Sequence, residues 1–436
     1  MGWKVLEKLS KVLIFHELTK KKFETTYQCR TRRVWAFAGI LFFWPEKTYP
    51  GNSIAEINPY IHRTISGEYC MYIYQHPQWP FFTWNHRETE ARLGTVRYWQ
   101  GRLLGRMENL GFALRSEAVL QTLTLEALKT NEIEGEWLDP EQVRSSLARR
   151  LGMDIAGLTP TDRHVEGVVE MMMDATENYA QPLTKDRLFA WHAALFPTGR
   201  SGMRKIITGA WRTGATGPMQ VVSGSLGRER VHFQAPEASV LDAETARFLD
   251  WFNTPAAEDP VLKAALAHLW FVTLHPFSDG NGRIARTIAD MQLARADDTA
   301  RRFYSMSAQI RQERRAYYDI LEQTQKGNVD VTGWLVWFLD CLGRAVAASE
   351  HTLDGVLGKA RFWEKHAARP FNDRQRKTLN KLLGGFEGKL TSSKWAKINR
   401  CSQDTATRDI NQLLAWGVLA KDNAGGRSTA YSLAEA

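Results

Sequence analysis

The sequence comprises 436 residues, of which 44% are hydrophobic and 24% are charged, and this balance excludes a wholly disordered, collagen-like or low-complexity chain. At about 150 residues per domain, the length predicts two or three domains. Lys and Arg number 57 against 48 Asp and Glu, so the net charge of +9 favours an anionic partner without choosing among nucleotide, nucleic acid and acidic protein.

The cysteines argue against two further classes of protein. Cys29, Cys70, Cys341 and Cys401 are scattered along the chain and form no C-x-x-C pair. This spacing is unlike a zinc site or a disulfide framework. It favours a reducing, cytoplasmic compartment.

Residues 1–70 differ in composition from the rest, because their 11 Lys and Arg and 6 Asp and Glu carry +5 of the net charge. The apolar run from Val34 to Pro45 is too short for the roughly 20 residues that span a bilayer. A long charged stretch precedes it and no cleavage site follows, which is unlike a signal peptide. We predict a poorly structured extension that the native protein need not contain, since a globular sequence opens at Met71. A small appendage that touches a membrane or binds a partner is the alternative.

Apolar residues spaced three and four apart predict a mainly α fold after residue 70. We divide it into an N-terminal helical domain (71–160), a helical core (161–350) and a linker (351–370). The predicted helices cover about residues 88–110, 116–131, 139–151, 162–179, 185–195, 238–252, 261–274, 283–296, 313–326 and 332–349. The interruption at 219–234 (MQVVSGSLGRERVHFQ) alternates apolar and polar residues around a Gly/Ser-rich turn and predicts a β-hairpin.

The chemistry-bearing residues concentrate in the run from His275 to Arg286, HPFSDGNGRIAR. A helix N-terminus offers unpaired backbone N–H groups and the positive end of the helix dipole, and the two glycines let a ligand approach, so the run predicts a pocket for a phosphate chain. Arg283 and Arg286 lie three apart and can point toward the same anion. Asp279 supplies a hard oxygen ligand that suits Mg²⁺, and His275 can accept a proton from an attacking hydroxyl.

This run resembles the HPFx(D/E)GNGRxxR motif of Fic-family proteins and matches it at every specified position. The resemblance implies a Fic-type helical bundle with a β-hairpin flap, and transfer of AMP from ATP to a Tyr, Thr or Ser hydroxyl of a target protein. It implies that His275 is the catalytic base and Asp279 the Mg²⁺ ligand. The residues that it implies for ATP binding are Asp279, Gly280, Asn281, Gly282, Arg283, Arg286 and Tyr318. Glycine at 282 favours nucleotidyl over phosphoryl transfer, because family members that act as kinases are bulkier near this position.

The segment TNEIEG at residues 130–135 matches (S/T)xxxE(G/N), the inhibitory motif of some Fic proteins. The resemblance implies that Glu134 pairs with Arg286 and withdraws it from the γ-phosphate, so that ATP binds unproductively. The alternative is a solvated glutamate at a helix end.

The predicted hairpin lies where Fic proteins carry a flap that aligns the target by β-strand addition, which implies target contacts at Val221 and Val222. A plain surface hairpin is the alternative. Tyr317 and Tyr318 fall where the family often has aromatics near the nucleotide base, and core packing fits them equally well. We predict that His268 belongs to the core, because nothing near it completes a zinc site.

Residues 371–436 predict three helices followed by a hairpin, the pattern of a winged helix-turn-helix domain. Thr405, Thr407 and Arg408 on the third helix and Arg427 at the wing are the candidate DNA contacts, since such side chains suit phosphates and base edges. Protein docking is the alternative, because winged helices serve both roles and the basic excess here is moderate.

Two function classes follow. The favoured one is an autoinhibited protein adenylyltransferase with ATP as substrate and Mg²⁺ as cofactor, and the alternative is a DNA-binding transcriptional regulator with a nucleotide-sensing Fic core. The intact His275 favours the enzyme, because a sensor tolerates loss of the base. The target protein, the balance between AMP addition and removal, and the existence of a homodimer are left open, and we expect no membrane partner.

Overall fold

The structure of the chain is a computed structural model. It describes residues 69–153, 158–224, 228–255, 258–384, 386, 388–422 and 429–434, together with strand residues 34–37, 40–43 and 62–63. The chain divides into two compact units, Met1–Tyr69 and Cys70–Ala436. None of the described helices combines the length and the apolar character needed to cross a membrane.

Short strands are the described part of the segment before residue 70. Strand β1 (Val34–Phe37) pairs antiparallel with β2 (Ile40–Phe43) inside the apolar run. Strands β3 (His62–Arg63) and β4 (Tyr69–Cys70) form a second pair. The rest of residues 1–70, to which the prediction of a poorly structured extension also applies, lies outside the described residues.

Helices form most of the second unit, and each predicted helix is present. Their bounds are α1 His86–Glu108, α2 Phe112–Ile133, α3 Pro140–Arg150, α4 Arg163–Glu177, α5 Lys185–Leu195, α6 Leu241–Asn253, α7 Pro260–Leu274, α8 Asn281–Asp297, α9 Met306–Gln312, α10 Arg314–Gln325 and α11 Thr332–Lys365. One hydrophobic cluster extends from Ile73 to Val356, so the segments predicted as an N-terminal domain and a helical core share a single core.

Two predictions need correction. The linker expected at residues 351–370 is helical through Lys365, because α11 continues to bury apolar side chains such as Leu353 and Val356 beyond its predicted end. The short helix α9 was missed, since its seven residues are too few to establish a helical period. It is capped by Ser305, whose hydroxyl accepts from the Ala308 N–H at 3.0 Å.

Helix α7 lies at the centre of the core. It begins after Asp259, whose carboxylate accepts from the Val261 N–H at 2.7 Å, and Pro260 fits the first turn because it has no N–H to lose. Every residue from Val261 to Leu274 is buried. Because α8 packs against α7, the short loop that joins them is held inside the bundle.

Two β-hairpins interrupt the helices between α5 and α6. The first pairs β5 (Arg200–Ser201) with β6 (Arg204–Lys205). The second pairs β7 (Gln220–Ser223) with β8 (Arg230–Gln234) and confirms the predicted hairpin. Its register places Val221 opposite Phe233, and an irregularity follows between Val221 and Val222.

The last part of the chain builds a core of its own. It contains α12 (Asp373–Leu383), α13 (Ser392–Asn399) and α14 (Gln403–Ala415), with β9 (Leu390–Thr391), β10 (Leu419–Lys421) and β11 (Ala430–Leu433) in an antiparallel sheet of order β10-β11-β9. Trp395 is fully buried within it, packed among residues such as Leu379 and Ile410. These elements follow the predicted order, and the winged-helix assignment remains a prediction. The predicted wing contact Arg427 lies outside the described residues.

Candidate active site

His275 directly follows α7 and ends it in the left-handed conformation, with φ 48° and ψ 54°. Its N–H donates to the Phe271 carbonyl at 3.1 Å, and its Nδ1 lies 3.1 Å from the Val272 carbonyl oxygen. A carbonyl can only accept, so Nδ1 carries the proton of the neutral ring. The lone pair is therefore on Nε2, the atom that a general base would use.

The surroundings of His275 keep the imidazole neutral. Burial is the largest cause and lowers the pKa of His275, and the positive charge of Arg212 lowers it further. The Val272 carbonyl and the carboxylates of Glu134 and Asp279 act in the opposite direction without reversing the shift. A neutral ring at pH 7 can accept a proton, as the predicted role requires.

Asn281 closes the loop between α7 and α8. Its Oδ1 accepts from the Phe277 N–H at 2.9 Å, and its Nδ2 donates to the Phe277 carbonyl at 2.8 Å. Both side-chain polar atoms of this predicted ATP-binding residue are thus used within the loop. A contact between Asn281 and a phosphate would therefore be made by its backbone N–H, which lies in the first turn of α8.

Two glycines are required by their surroundings. Gly280 has φ 79° and begins α8, and a Cβ there would lie 2.9 Å from the ring of Phe196. A Cβ on Gly282 would lie 2.2 Å from Oε1 of Glu134 and 3.2 Å from Nη1 of Arg286. Glycine at 282 therefore lets the carboxylate of Glu134 reach the start of α8.

The carboxylate of Asp279 is oriented from both sides. Its Oδ1 accepts from the Gly280 N–H at 2.6 Å, and its Oδ2 accepts from the hydroxyl of Ser201 on β5. The main-chain oxygen of Asp279 lies 3.2 Å from Nε2 of His192. Asp279 remains partly exposed, so its oxygens can also reach a ligand.

His192 on α5 supports this loop from behind and was not identified from the sequence. Its Nδ1 accepts from the Gly209 N–H at 3.1 Å, so its Nε2 must donate to the Asp279 carbonyl. The ring stacks on Phe277 with centroids 4.1 Å apart. Burial lowers the pKa of His192 to about 4, which keeps it neutral. A single histidine within a helix carries no sequence signal for this role.

Arg286 is buried on α8 and bound by the segment that matches the inhibitory motif. Its Nη2 donates to Oε1 of Glu134 at 2.7 Å and to the Thr130 carbonyl at 2.8 Å. Its Nε donates to the Thr130 hydroxyl at 2.8 Å, so the threonine of the motif contributes two acceptors. Burial opposes the charge of Arg286, but the neighbouring Glu134 carboxylate raises its pKa above the ordinary value.

Arg283, the other motif arginine, is bound by one residue of this segment and by the residue that directly follows it. Its Nη1 donates to Oδ1 of Asn131 at 3.2 Å and forms an ion pair with Glu136. Its guanidinium also lies 5.0 Å from the ring centroid of Phe196. The two arginines therefore have separate carboxylate partners. To bind one shared anion, as the sequence predicts, both would have to break these ion pairs.

The two adjacent tyrosines have different surroundings. The Tyr317 hydroxyl pairs with Nε2 of His268 at 2.9 Å, and both side chains are buried, as predicted for His268. The Tyr318 hydroxyl lies 3.4 Å from Oε2 of Glu134. Burial and the charge of Glu134 raise the pKa of Tyr318 to about 12. Of the pair, Tyr318 thus borders the candidate site.

The second hairpin is attached to α10, which carries Tyr318. Arg230 on β8 donates to Oε1 of Glu322 at 3.0 Å, and Nδ1 of His232 lies 2.5 Å from Oε2 of Glu322. Val222 on β7 is 48% exposed, whereas Val221 is partly buried. The candidate target contacts are therefore on a hairpin whose position is fixed relative to the site.

The candidate DNA contacts lie on α14 and are not part of this site. Thr407 and Arg408 are exposed, and Thr405 is partly exposed. The hydroxyl of Thr405 lies 2.9 Å from that of Ser402, and the Thr407 hydroxyl donates to the Gln403 carbonyl at 2.9 Å. The hydroxyls of both threonines thus form hydrogen bonds with residues three or four positions earlier in the chain.

Comparison with known proteins agrees with the loop geometry. The sequence model of the Fic/DOC family matches residues 182–293, which include the loop and both motif arginines. Residues 182–293 are a Fic/DOC domain. A domain of unknown function, DUF4172, matches residues 72–153, which include the segment that holds the arginines of the Fic/DOC domain.

Curated proteins that are similar to part of this chain include two from insects. Protein adenylyltransferase Fic of Culex quinquefasciatus is 35% identical over 114 residues, which are 26% of this chain and 20% of that protein. The protein of the same name from Aedes aegypti is 36% identical over 112 residues, 25% of this chain and 19% of that protein. The chain thus spans about a fifth of the length of these relatives.

Similar solved structures also carry Fic names. A Fic family protein from Desulfovibrio desulfuricans G20 has a TM-score of 0.45 and 22% identity, with 78% of this chain and 95% of that chain covered. Fic-1 from C. elegans has a TM-score of 0.40 and 22% identity, with 62% of this chain and 73% of that chain covered.

Proposed function

We propose that this protein is an autoinhibited protein adenylyltransferase, which transfers AMP from ATP to a Tyr, Thr or Ser hydroxyl of a target protein. The observation that carries the proposal is the complete motif, in which the Nε2 lone pair of His275 is left available and a helix begins six residues later, at Asn281. Similarity to proteins named protein adenylyltransferase Fic supports the same reaction.

The reaction needs a base and a phosphate cradle. Nε2 of His275 takes the proton of the target hydroxyl as its oxygen attacks the α-phosphorus of ATP. A bond forms between this oxygen and the α-phosphorus, the bond from the α-phosphorus to the oxygen of the leaving group breaks, and pyrophosphate departs. The N–H groups at the start of α8 and the side chain of Arg286 would stabilise the phosphate charges, so positioning and electrostatics carry the catalysis.

The residues present fit a Mg²⁺ ion held together with the nucleotide. Mg²⁺ takes one or two protein carboxylates and completes its shell with water and phosphate oxygens. Asp279 offers one partly exposed carboxylate at the mouth of the phosphate cradle. Across the described residues, no group of three or more His, Cys, Asp or Glu side chains is arranged to hold a metal without a nucleotide. When bound, the ion would neutralise phosphate charge.

Autoinhibition is supported by the ion pair between Glu134 and Arg286. The Arg286 side chain is 3% exposed and that of Glu134 is 29% exposed, so the pair is shielded from much of the solvent. While Glu134 holds Arg286, this arginine cannot bind the γ-phosphate. ATP would then be bound in a pose that does not place its α-phosphorus in line with the target hydroxyl.

The hairpin of β7 and β8 would present the target. An exposed strand edge binds an extended segment through main-chain hydrogen bonds, which are largely independent of its sequence. Val221 and Val222 would contact the target next to the modified residue.

The exposed basic side chain of Arg408 on α14 favours DNA binding as a second candidate function, for residues 371–436 alone. Lys394 and Lys397 on α13 are also exposed. Cationic side chains on neighbouring helices suit the phosphates of a duplex.

Labelled ATP tests the proposed reaction. With α-labelled ATP, a cell extract that receives the purified protein should contain more labelled protein than the extract alone, whereas with γ-labelled ATP the purified protein should add no label beyond that from the extract's own kinases. His275→Ala should lower the transfer by about 10²- to 10⁴-fold while ATP still binds. Label that the purified protein adds from γ-labelled ATP would instead identify a kinase, and no transfer by either label, including from Glu134→Gly, would overturn the proposal.

A further inference from the structure

Arg212 lies between the two hairpins in the chain, is 7% exposed and binds main-chain carbonyls both at the start of the loop between α7 and α8 and just after β8. Its Nε donates to the His275 carbonyl at 2.8 Å, and its Nη2 donates to the Pro236 carbonyl at 2.5 Å. Its own backbone N–H donates to the Pro276 carbonyl at 2.9 Å. One arginine thus contacts two successive residues of the loop.

The contact at His275 matters because of the backbone conformation there. A left-handed conformation is unfavourable for a residue with a side chain, so it persists only where surrounding contacts hold it. The last carbonyls of α7 also lack partners within the helix, and a positive charge at a helix C-terminus is favourable. Arg212 supplies both the donor and the charge at this position.

The contact at Pro236 connects the loop to the hairpin. Pro236 lies two residues after the end of β8, and the preceding Ala235 N–H donates to the Met219 carbonyl at 2.9 Å at the base of the hairpin. The same guanidinium therefore binds the base of the hairpin and the backbone of His275. Rotation of Arg212 would change the relation between these two parts.

We propose that Arg212 is a positioning residue that fixes the imidazole of His275 relative to the hairpin that presents the target hydroxyl. This role rests on the proposed adenylyltransferase function. The groups that face His275 with charge are Arg212, Glu134 and Asp279. Arg212 differs from the other two because it binds the backbone carbonyl of His275. Glu134 instead binds Arg286 of the phosphate cradle, and Asp279 is the proposed metal ligand.

Arg295 provides a matched control. Its Nε donates to the Tyr179 carbonyl at 2.7 Å and its Nη2 to the Gln181 carbonyl at 3.0 Å, so it also binds main-chain oxygens. It lies 12 residues after Arg283 on α8, about 18 Å along the helix at 1.5 Å per residue. Loss of Arg295 should cost stability without moving His275.

The experiment compares Arg212→Met, Arg212→Lys and Arg295→Met in the full chain carrying Glu134→Gly, which removes the inhibitory carboxylate. The rate of transfer, measured at several concentrations of α-labelled ATP, gives kcat and the KM for ATP. Equilibrium binding gives the Kd of ATP, and thermal unfolding gives Tm. A displacement of about 1 Å at a catalytic group can cost about 100-fold in rate. Arg212→Met should therefore lower kcat about 100-fold with the Kd of ATP unchanged.

Arg212→Lys should recover part of the rate, because lysine keeps the charge and one donor, and Arg295→Met should lower Tm with kcat unchanged. If Arg212→Met does not fold, a lowered kcat in Arg212→Lys at unchanged Tm supports the proposal. Equal kcat in all variants, or equal losses in Arg212→Met and Arg295→Met, would overturn the positioning role alone. An absence of transfer in the chain with Arg212 intact would overturn the adenylyltransferase function and this role together.

Discussion

The motif loop of the Fic/DOC domain and the helix α14 near the end of the chain hold their polar side chains in different ways. In the motif of residues 275–286, Asn281 binds both backbone polar groups of Phe277, and Arg286 on α8 is buried against Glu134. On α14, Thr407 and Arg408 are exposed. Chemistry that needs fixed geometry requires polar side chains that are held by buried contacts, whereas a contact with a large surface partner requires only exposed charge. A functional assignment is therefore better supported for the loop than for the helix.

The largest effect is expected at His275, the proposed catalytic base. Without Nε2 at position 275, no side chain of the loop takes the hydroxyl proton, and general-base catalysis contributes about 10²- to 10⁴-fold. His275→Ala should lower AMP transfer by this factor in chains carrying Glu134→Gly. Asn281→Ala, which removes loop contacts but not the base, serves as a comparison. Transfer at the parental rate by His275→Ala would reject the role of His275.

Residues 371–436 are expected to fold independently of the candidate active site, and this expectation is tested at Trp395, which is fully buried. Removing a large buried aromatic costs about 3–5 kcal/mol, so Trp395→Ala should unfold α12 to α14 at lower denaturant concentration. AMP transfer should be retained, because this tryptophan belongs to a separate hydrophobic cluster. A parallel loss of transfer would show that the two regions depend on each other.

A smaller loss is expected at Asp279, the proposed metal ligand. Asp279→Ala removes the carboxylate oxygens that Mg²⁺ would bind, and even indirect partners of a metal contribute about 10- to 100-fold in affinity. The variant should need at least about tenfold more Mg²⁺ for half-maximal transfer. Ser201→Ala, which removes only the hydroxyl on Oδ2, should shift this requirement less. Turnover of the wild type in excess chelator would contradict metal dependence.

The smallest effect concerns α14. If Arg408 contacts a phosphate, Arg408→Ala should weaken duplex binding by residues 371–436 and reduce the slope of log affinity against log salt by about one. Asp404→Asn is a control on the same helix, since it does not remove a cation. An absence of salt-dependent duplex binding in the parental chain would favour protein docking.

Sequence patterns predicted the fold well where amphipathic helices are long, as in α1 and α2, and where the hairpin alternates. They missed α9, which has too few residues for a period, and ended α11 early because its partners belong to another part of the chain. In the site, the motif identified His275 and Arg286, and the inhibitory segment identified Glu134. Arg212 and His192 could not be found, since they act through distant backbone carbonyls and leave no local spacing.

The contact of Glu136 with Arg283 was missed for a related reason. Glu136 lies two residues after the inhibitory glutamate and outside the (S/T)xxxE(G/N) pattern. The side chain that it binds, that of Arg283, lies 147 residues later in the chain, so only the packing of α2 against α8 reveals the contact. Carboxylates that share a segment can thus have different arginine partners.

The central claim is that Glu134 restrains an active enzyme through Arg286. Transfer from α-labelled ATP should be measured in the wild type, Glu134→Gly, Arg286→Ala and the double variant, with Glu132→Gln as the matched control because Glu132 pairs with Lys129 instead. A charge-assisted contact contributes about 1.5–3 kcal/mol, so Glu134→Gly should raise the rate about tenfold or more. The gain should vanish when Arg286 is also removed, as expected for residues in contact. Equal rates in the wild type and Glu134→Gly would contradict the account.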